Sequence, residues 1–143
     1  MPEAALSHRI EAACHCGNIR LTVFWPGQWP QIPVRACGCR LCVKHGAVWT
    51  SHPKGGFQLA IEDLAQSEPY QFGSKTADFH VCRRCGVIPI VTSLSEGRRY
   101  AVFNANAFEN VDRSQFIVSA TDFEGESTNE RLARRRGNWT PEL

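Results

Sequence analysis

Cys14-His15-Cys16-Gly17 and, far downstream, Cys82-Arg83-Arg84-Cys85-Gly86 are the stretches whose reading decides how this chain folds. In each, a tight turn presents two sulfurs to one ion, and the glycine that follows suits a turn needing relaxed backbone angles. Four thiolates close a tetrahedral zinc site. The two pairs together therefore predict one structural ion on Cys14, Cys16, Cys82 and Cys85, tying the start of the domain to a much later segment. The expected stabilisation is large, since structural zinc binds small peptides with about 10–16 kcal/mol.

Between the outer pairs lies Cys37-Gly38-Cys39-Arg40-Leu41-Cys42. The seven cysteines thus divide into four plus three, and three thiolates leave one zinc position open. Such a site is electron-rich and a weak Lewis acid, less suited than a three-histidine site to making hydroxide from water. A soft sulfur is the better fourth ligand. The chemistry indicated is capture of a substrate thiol, whose pKa falls on the metal and which stays nucleophilic toward a carbonyl. Cys37, Cys39 and Cys42 are accordingly the catalytic residues, and two zinc ions per chain are expected. Two other arrangements stay open: a closed knuckle in which His45 joins these three, and a partition in which the middle Cys-X-Cys joins an outer pair.

At 143 residues and 43% apolar, the chain fits one domain with a modest core. A core over about 10–118 and a C-terminal extension over 119–143 are expected. The net charge of +2 and pI near 8.2 are mild; nucleic-acid-binding domains usually exceed pI ~9. Nucleic acid is therefore an unfavoured partner, and small anionic ligands are compatible. The opening residues lack the apolar run of a signal peptide, and no stretch approaches the ~20 apolar residues of a membrane span. A soluble, cytoplasmic protein is expected, in which thiols stay reduced and clustered cysteines are ligands. The odd cysteine count argues the same way, since disulfides alone would strand one thiol.

Short β-branched or aromatic runs broken by Gly and Pro predict a mainly antiparallel β domain. Runs over 19–25, 34–37, 47–51, 57–62, 70–72, 77–82 and 116–118 read as strands, and 88–94 with 98–103 as a hairpin around Glu96-Gly97. One helix is expected over 129–136, capped by Thr128 and stopped by Gly137, with Arg134-Arg135-Arg136 on a solvated face. Arg83 and Arg84 read as charge compensation for an anionic thiolate site. Arg35, Arg40 and Lys44 lie near the middle cysteines; Arg40, Lys44 and His45 are the substrate-binding candidates, steering an anionic thiol or shuttling a proton. His15 and His80 are placed beside ligands or at the surface. Trp25, Trp29, Trp49 and Phe79 are assigned to the core, with one of them free to line a pocket.

In order and spacing, the three cysteine motifs resemble the glutathione-dependent formaldehyde-activating enzyme family, which includes centromere-protein-V-like proteins. Gly46-Ala47 after the middle motif fits, as does Asn104 after Tyr100-Ala101-Val102-Phe103. The resemblance implies antiparallel sheets in a β-tent held by zinc. It places the structural ion on Cys14, Cys16, Cys82 and Cys85, and the catalytic one on Cys37, Cys39 and Cys42. It implies a carbon–sulfur lyase that forms S-hydroxymethylglutathione from glutathione and formaldehyde. The chain departs from the family at Val87-Ile88-Pro89 and Val43-Lys44-His45-Gly46, near the expected pocket. A second reading is a non-enzymatic zinc-scaffolded module binding protein or nucleic acid through Arg131 and Arg134 to Arg136; a third is zinc storage or redox sensing at the three-cysteine site.

Overall fold

Residues 8–27, 31–123 and 125–143 are described by the computed structural model. They form strands β1 (His8–Ala13), β2 (Ile19–Trp25), β3 (Ile32–Cys37), β4 (Trp49–Thr50), β5 (Gly56–Ile61), β6 (Ser67–Tyr70), β7 (Asp78–Cys82), β8 (Ile90–Ser95), β9 (Arg98–Asn104), β10 (Phe116–Thr121) and β11 (Thr140–Pro141). Two helices accompany them, α1 (Arg40–His45) and α2 (Thr128–Asn138). No helix among the described residues is long and apolar enough to cross a membrane.

The strands make two sheets. The smaller is antiparallel, in the order β1-β2-β5; the larger runs β10-β3-β4-β9-β8-β7-β6, with β11 on β9. β2 buries Ile19, Leu21, Val23 and Trp25 on one face, as its alternation requires. These residues meet Ile32, Val34, Ile90 and Phe103 of the larger sheet, and Phe57 sets its ring edge-on to Phe103 at 5.8 Å. The larger sheet is covered on its other face too. Val91 and Val102 point away from Ile90 and Phe103, into a second cluster with Cys42, Trp49 and Trp139. A strand buried on both faces loses its polar alternation, and β8 shows this: Ile90 to Ser93 are all buried.

The mainly β architecture and the C-terminal helix match the sequence expectation; the details differ instructively. The hairpin closes at Ser95 opposite Arg98, with Glu96 and Gly97 at φ 53° and 77°, the left-handed pair of a tight two-residue turn. The sheets are not wholly antiparallel: β10 lies parallel to β3, Phe116 beside Ile32 through Thr121 beside Cys37. Strand direction is set by the long excursion between them, which no local pattern encodes. β1 escapes a propensity reading because its buried face is Ile10 and Ala12 among charged neighbours. α1 is a six-residue turn, too short for helical periodicity to register. α2 is longer than expected. Ser127, not Thr128, is its cap, bonded reciprocally with Glu130, and Gly137 lies inside it. Trp29 lies outside the described residues.

Candidate metal centre and active site

The outer cysteines sit on two matching knuckles. Cys14 directly follows β1 and Cys82 ends β7, and each turns sharply: the Gly17 N–H donates to Cys14 O at 3.1 Å and the Gly86 N–H to Cys82 O at 2.8 Å. Gly17 and Gly86 hold φ of 83° and 80°, backbone that a side chain would strain. Across the interface Cys16 Sγ is 3.5 Å from Cys82 Sγ. All four sulfurs, of Cys14, Cys16, Cys82 and Cys85, lie within 4.8 Å of one another. The Ile19 N–H donates to Cys14 Sγ at 3.3 Å. Asn18 is buried behind the knuckle, its amide bonded to both N–H and C=O of Asp63.

The middle trio is built by α1. Cys37 ends β3, Gly38 donates its N–H to Thr121 O of β10 at 2.9 Å, and Cys39 caps the helix through its sulfur, accepting from the Cys42 N–H at 3.4 Å. Gly46, at φ 74°, closes the helix by donating to Cys42 O. The sulfurs of Cys37, Cys39 and Cys42 share the same 4.8 Å limit. Trp49 donates its indole N–H to Cys42 Sγ at 3.3 Å. His45 is exposed and stands outside this group, and no outer cysteine belongs to it.

Thiols this crowded cannot all ionise unless a cation is present. Cys37 is pulled down to about 5, first by the hydrogen bond it accepts from Cys42. That bond, together with burial, pushes Cys42 far up. In the outer group burial pushes Cys14 up to about 11. Burial also opposes ionisation of Cys85, but hydrogen bonds from the backbone of Val87 and Cys16 and from neighbouring thiols bring it down to about 6. Each cluster thus concentrates one thiolate among thiol donors, and a soft cation would take the place of the shared protons. The donor sets, with N–H groups aimed at Cys14, Cys39 and Cys42 sulfurs, fit a tetrahedral thiolate metal, fourfold in one place and threefold in the other.

The trio opens onto a cavity of about 510 Å³. Its wall combines Arg35, Arg40, Asp122, Arg131, Arg134 and Arg135 with Trp49, Phe72, Phe79, Phe123 and Trp139. Of the residues expected to bind substrate, Arg40 lines it, whereas Lys44 and His45 lie exposed outside it. His80 is buried, its Nε2 2.7 Å from Thr92 Oγ1, and Asn104 holds the segment between the Cys82–Cys85 knuckle and β8 by donating to Ile88 O. Trp25 packs in the core, while both Trp49 and Phe79 face the cavity. Arg134-Arg135-Arg136 does not form a solvated face: Arg135 is 8% exposed, and Arg134 pairs with Glu126 at 2.8 Å. The spacing along the expected helix shows why: Arg131, Arg135 and, just past the end of α2, Trp139 recur at intervals of four. Trp139 belongs to no motif in the sequence, and only the fold brings it to the cavity.

A mainly β protein with a closed four-thiol cluster and an open three-thiol one is, as a class, a candidate double metal-site protein with a substrate cavity. The description "glutathione-dependent formaldehyde-activating enzyme" belongs to a family model that matches residues 9–126, and the chain belongs to that family. A crystal structure of a Rhodobacter sphaeroides protein, a structural-genomics target, is similar over 78% of this chain and 99% of that one, with 24% identity and a TM-score of 0.59. That likeness concerns the fold. α2 and Trp139 lie beyond the residues matched by the family model.

Proposed function

We propose that this protein is a zinc-dependent carbon–sulfur lyase-type enzyme that joins a thiol such as glutathione to an aldehyde such as formaldehyde. The observation that carries this reading is the unequal pair of clusters: four sulfurs closed at an interface between sheets, and three on the wall of a cavity. In it Cys14, Cys16, Cys82 and Cys85 hold a structural zinc that pins the two sheets as a β-tent, and Cys37, Cys39 and Cys42 hold a catalytic one. Held by those three thiolates, a zinc ion would supply a position for a fourth sulfur and would lower that thiol's pKa.

The chain's own residues do the rest. The Trp49 N–H and the Cys42 N–H brace the sulfurs of Cys42 and Cys39. Arg40 and Arg35 supply positive charge beside the trio and draw in an anionic thiol. Asp122 lines the cavity near enough to Cys37 to oppose its ionisation. Its carboxylate takes the proton released from the substrate thiol and returns it to the carbonyl oxygen. The sulfur adds to the carbonyl carbon, one S–C bond forms, the C=O π pair becomes an O–H bond, and no oxidant is needed. Seven free thiols suit a reducing cytoplasm.

Zinc-edge absorption spectroscopy with and without glutathione tests the reading. The average sulfur count per zinc should rise as the three-sulfur site gains a ligand. An unchanged count, or metal analysis finding one ion per chain, would remove the catalytic site.

A further inference from the structure

Arg135 is the most buried charged side chain on the cavity wall, and no carboxylate among the described residues forms an ion pair with it. It is 8% exposed. Its Nη1 donates to Thr76 Oγ1 at 2.8 Å and to Ser93 Oγ at 3.2 Å, while its buried Nε has no partner among the described residues. Its guanidinium lies over the Trp139 ring, 4.9 Å from the centroid. The nearby acid, Glu126, is engaged by Arg131 and Arg134. Arg35 on the same wall also lacks an ion pair among the described residues and donates to Ser51 Oγ. A buried guanidinium whose nearest carboxylate is already bonded to two other arginines is under-compensated, and the deficit is recovered when an anion arrives.

The remaining wall limits what that anion is. Trp49, Phe79, Phe72 and Trp139 offer flat apolar surface, with Trp49 edge-on to Phe79 at 6.0 Å. Glutathione carries two carboxylates and an ammonium on a polar backbone; the arginines and Asp122 can meet its charged ends, but the aromatic surface is a poor match for its peptide backbone. A molecule with one carboxylate on an apolar body satisfies both halves of the wall. We propose that the cavity selects, as the thiol presented to Cys37, Cys39 and Cys42, one carried on an apolar carboxylate of aryl or short-chain type, its anionic group paired with Arg135 and its body against the aromatic wall. The proposal rests on the proposed function only in saying that this molecule reacts there; its binding does not need the reaction.

Calorimetry on the zinc-loaded protein with 3-phenylpropanoate, 3-phenylpropan-1-ol and glutathione tests it. The carboxylate should bind at least about tenfold more tightly than the alcohol and than glutathione, and Arg135→Gln should erase the preference over the alcohol. Equal affinities, no binding, tighter binding of glutathione, or a preference that survives in Arg135→Gln would overturn it. If that variant does not fold, the arginine Nε–H signals of the unaltered protein decide by nuclear magnetic resonance. One buried Nε–H should shift with the carboxylate and not with the alcohol; no such shift sinks the proposal. A carboxylate preference without any gain of sulfur at zinc would sink the thiol chemistry and leave this site standing. The reverse would sink this site alone.

Discussion

Trp49 shows how much one side chain decides. Its ring lines the cavity and its N–H reaches Cys42 Sγ, so Trp49→Phe keeps an aromatic ring there, though a smaller one, and removes the donor. Donors behind metal ligands are worth about 10–100-fold in metal affinity; chelator competition should show a loss in that range for one of the two ions, with the other unchanged. Cys39→Ser should abolish turnover while leaving the far-ultraviolet circular dichroism nearly intact. At His52, burial and then Lys54 hold the imidazole below its ordinary value, and its neutral Nδ1 accepts the Lys54 N–H at 3.1 Å. The unfolded chain therefore takes up a proton first. This contribution to stability is full above about pH 6.5 and fades as the pH falls through the lower folded value. Denaturant titrations from pH 7.5 to 5 should show a shallower loss in His52→Asn. The two cysteine groups were legible at this scale because close spacing pairs neighbouring sulfurs and their number divides as four and three, whereas the meeting of the outer pairs is the work of the fold. Arg135 was not: its burial depends on Thr76 and Ser93, which arrive from other parts of the chain.

Among elements, the strands with strict alternation, β2 and β5, stand almost where their sequences put them. Those whose order depends on partners do not. The run over 47–51 keeps only Trp49–Thr50 as strand, since only those residues find a ladder, on Arg35 and on Asn104 and Phe103. The run over 70–72 gives way to Ser67–Tyr70, which pairs with β7. α2 depends on its first turn, where the Ser127 hydroxyl accepts the Glu130 N–H at 3.1 Å and the Glu130 carboxylate accepts the Ser127 N–H at 3.0 Å. Ser127→Ala should cost about 1 kcal/mol of helix stability, read as a lowered urea midpoint. Hydrogen exchange should rise through α2 before it rises in β8.

At the scale of the molecule, the four-sulfur knuckle joins β1 and β2 of the smaller sheet to β7 of the larger, Cys16 meeting Cys82 from 66 residues away. Cys85→Ser should lower the thermal midpoint far more than Cys39→Ser; equal losses would mean that both clusters are structural. Graded chelation should remove metal in two steps, activity vanishing in the first and cooperative unfolding in the second. The tail is attached differently. Everything that the family model matches ends at residue 126, and the helix roofing the cavity follows it. Reactive centre and chooser of cargo are thus, in the proposed reading, successive paragraphs of one text. A lineage can rewrite the second without editing the first, and exchanging tails between relatives should alter the Arg135 half of the preference while the aromatic half, on Trp49, Phe72 and Phe79, stays put.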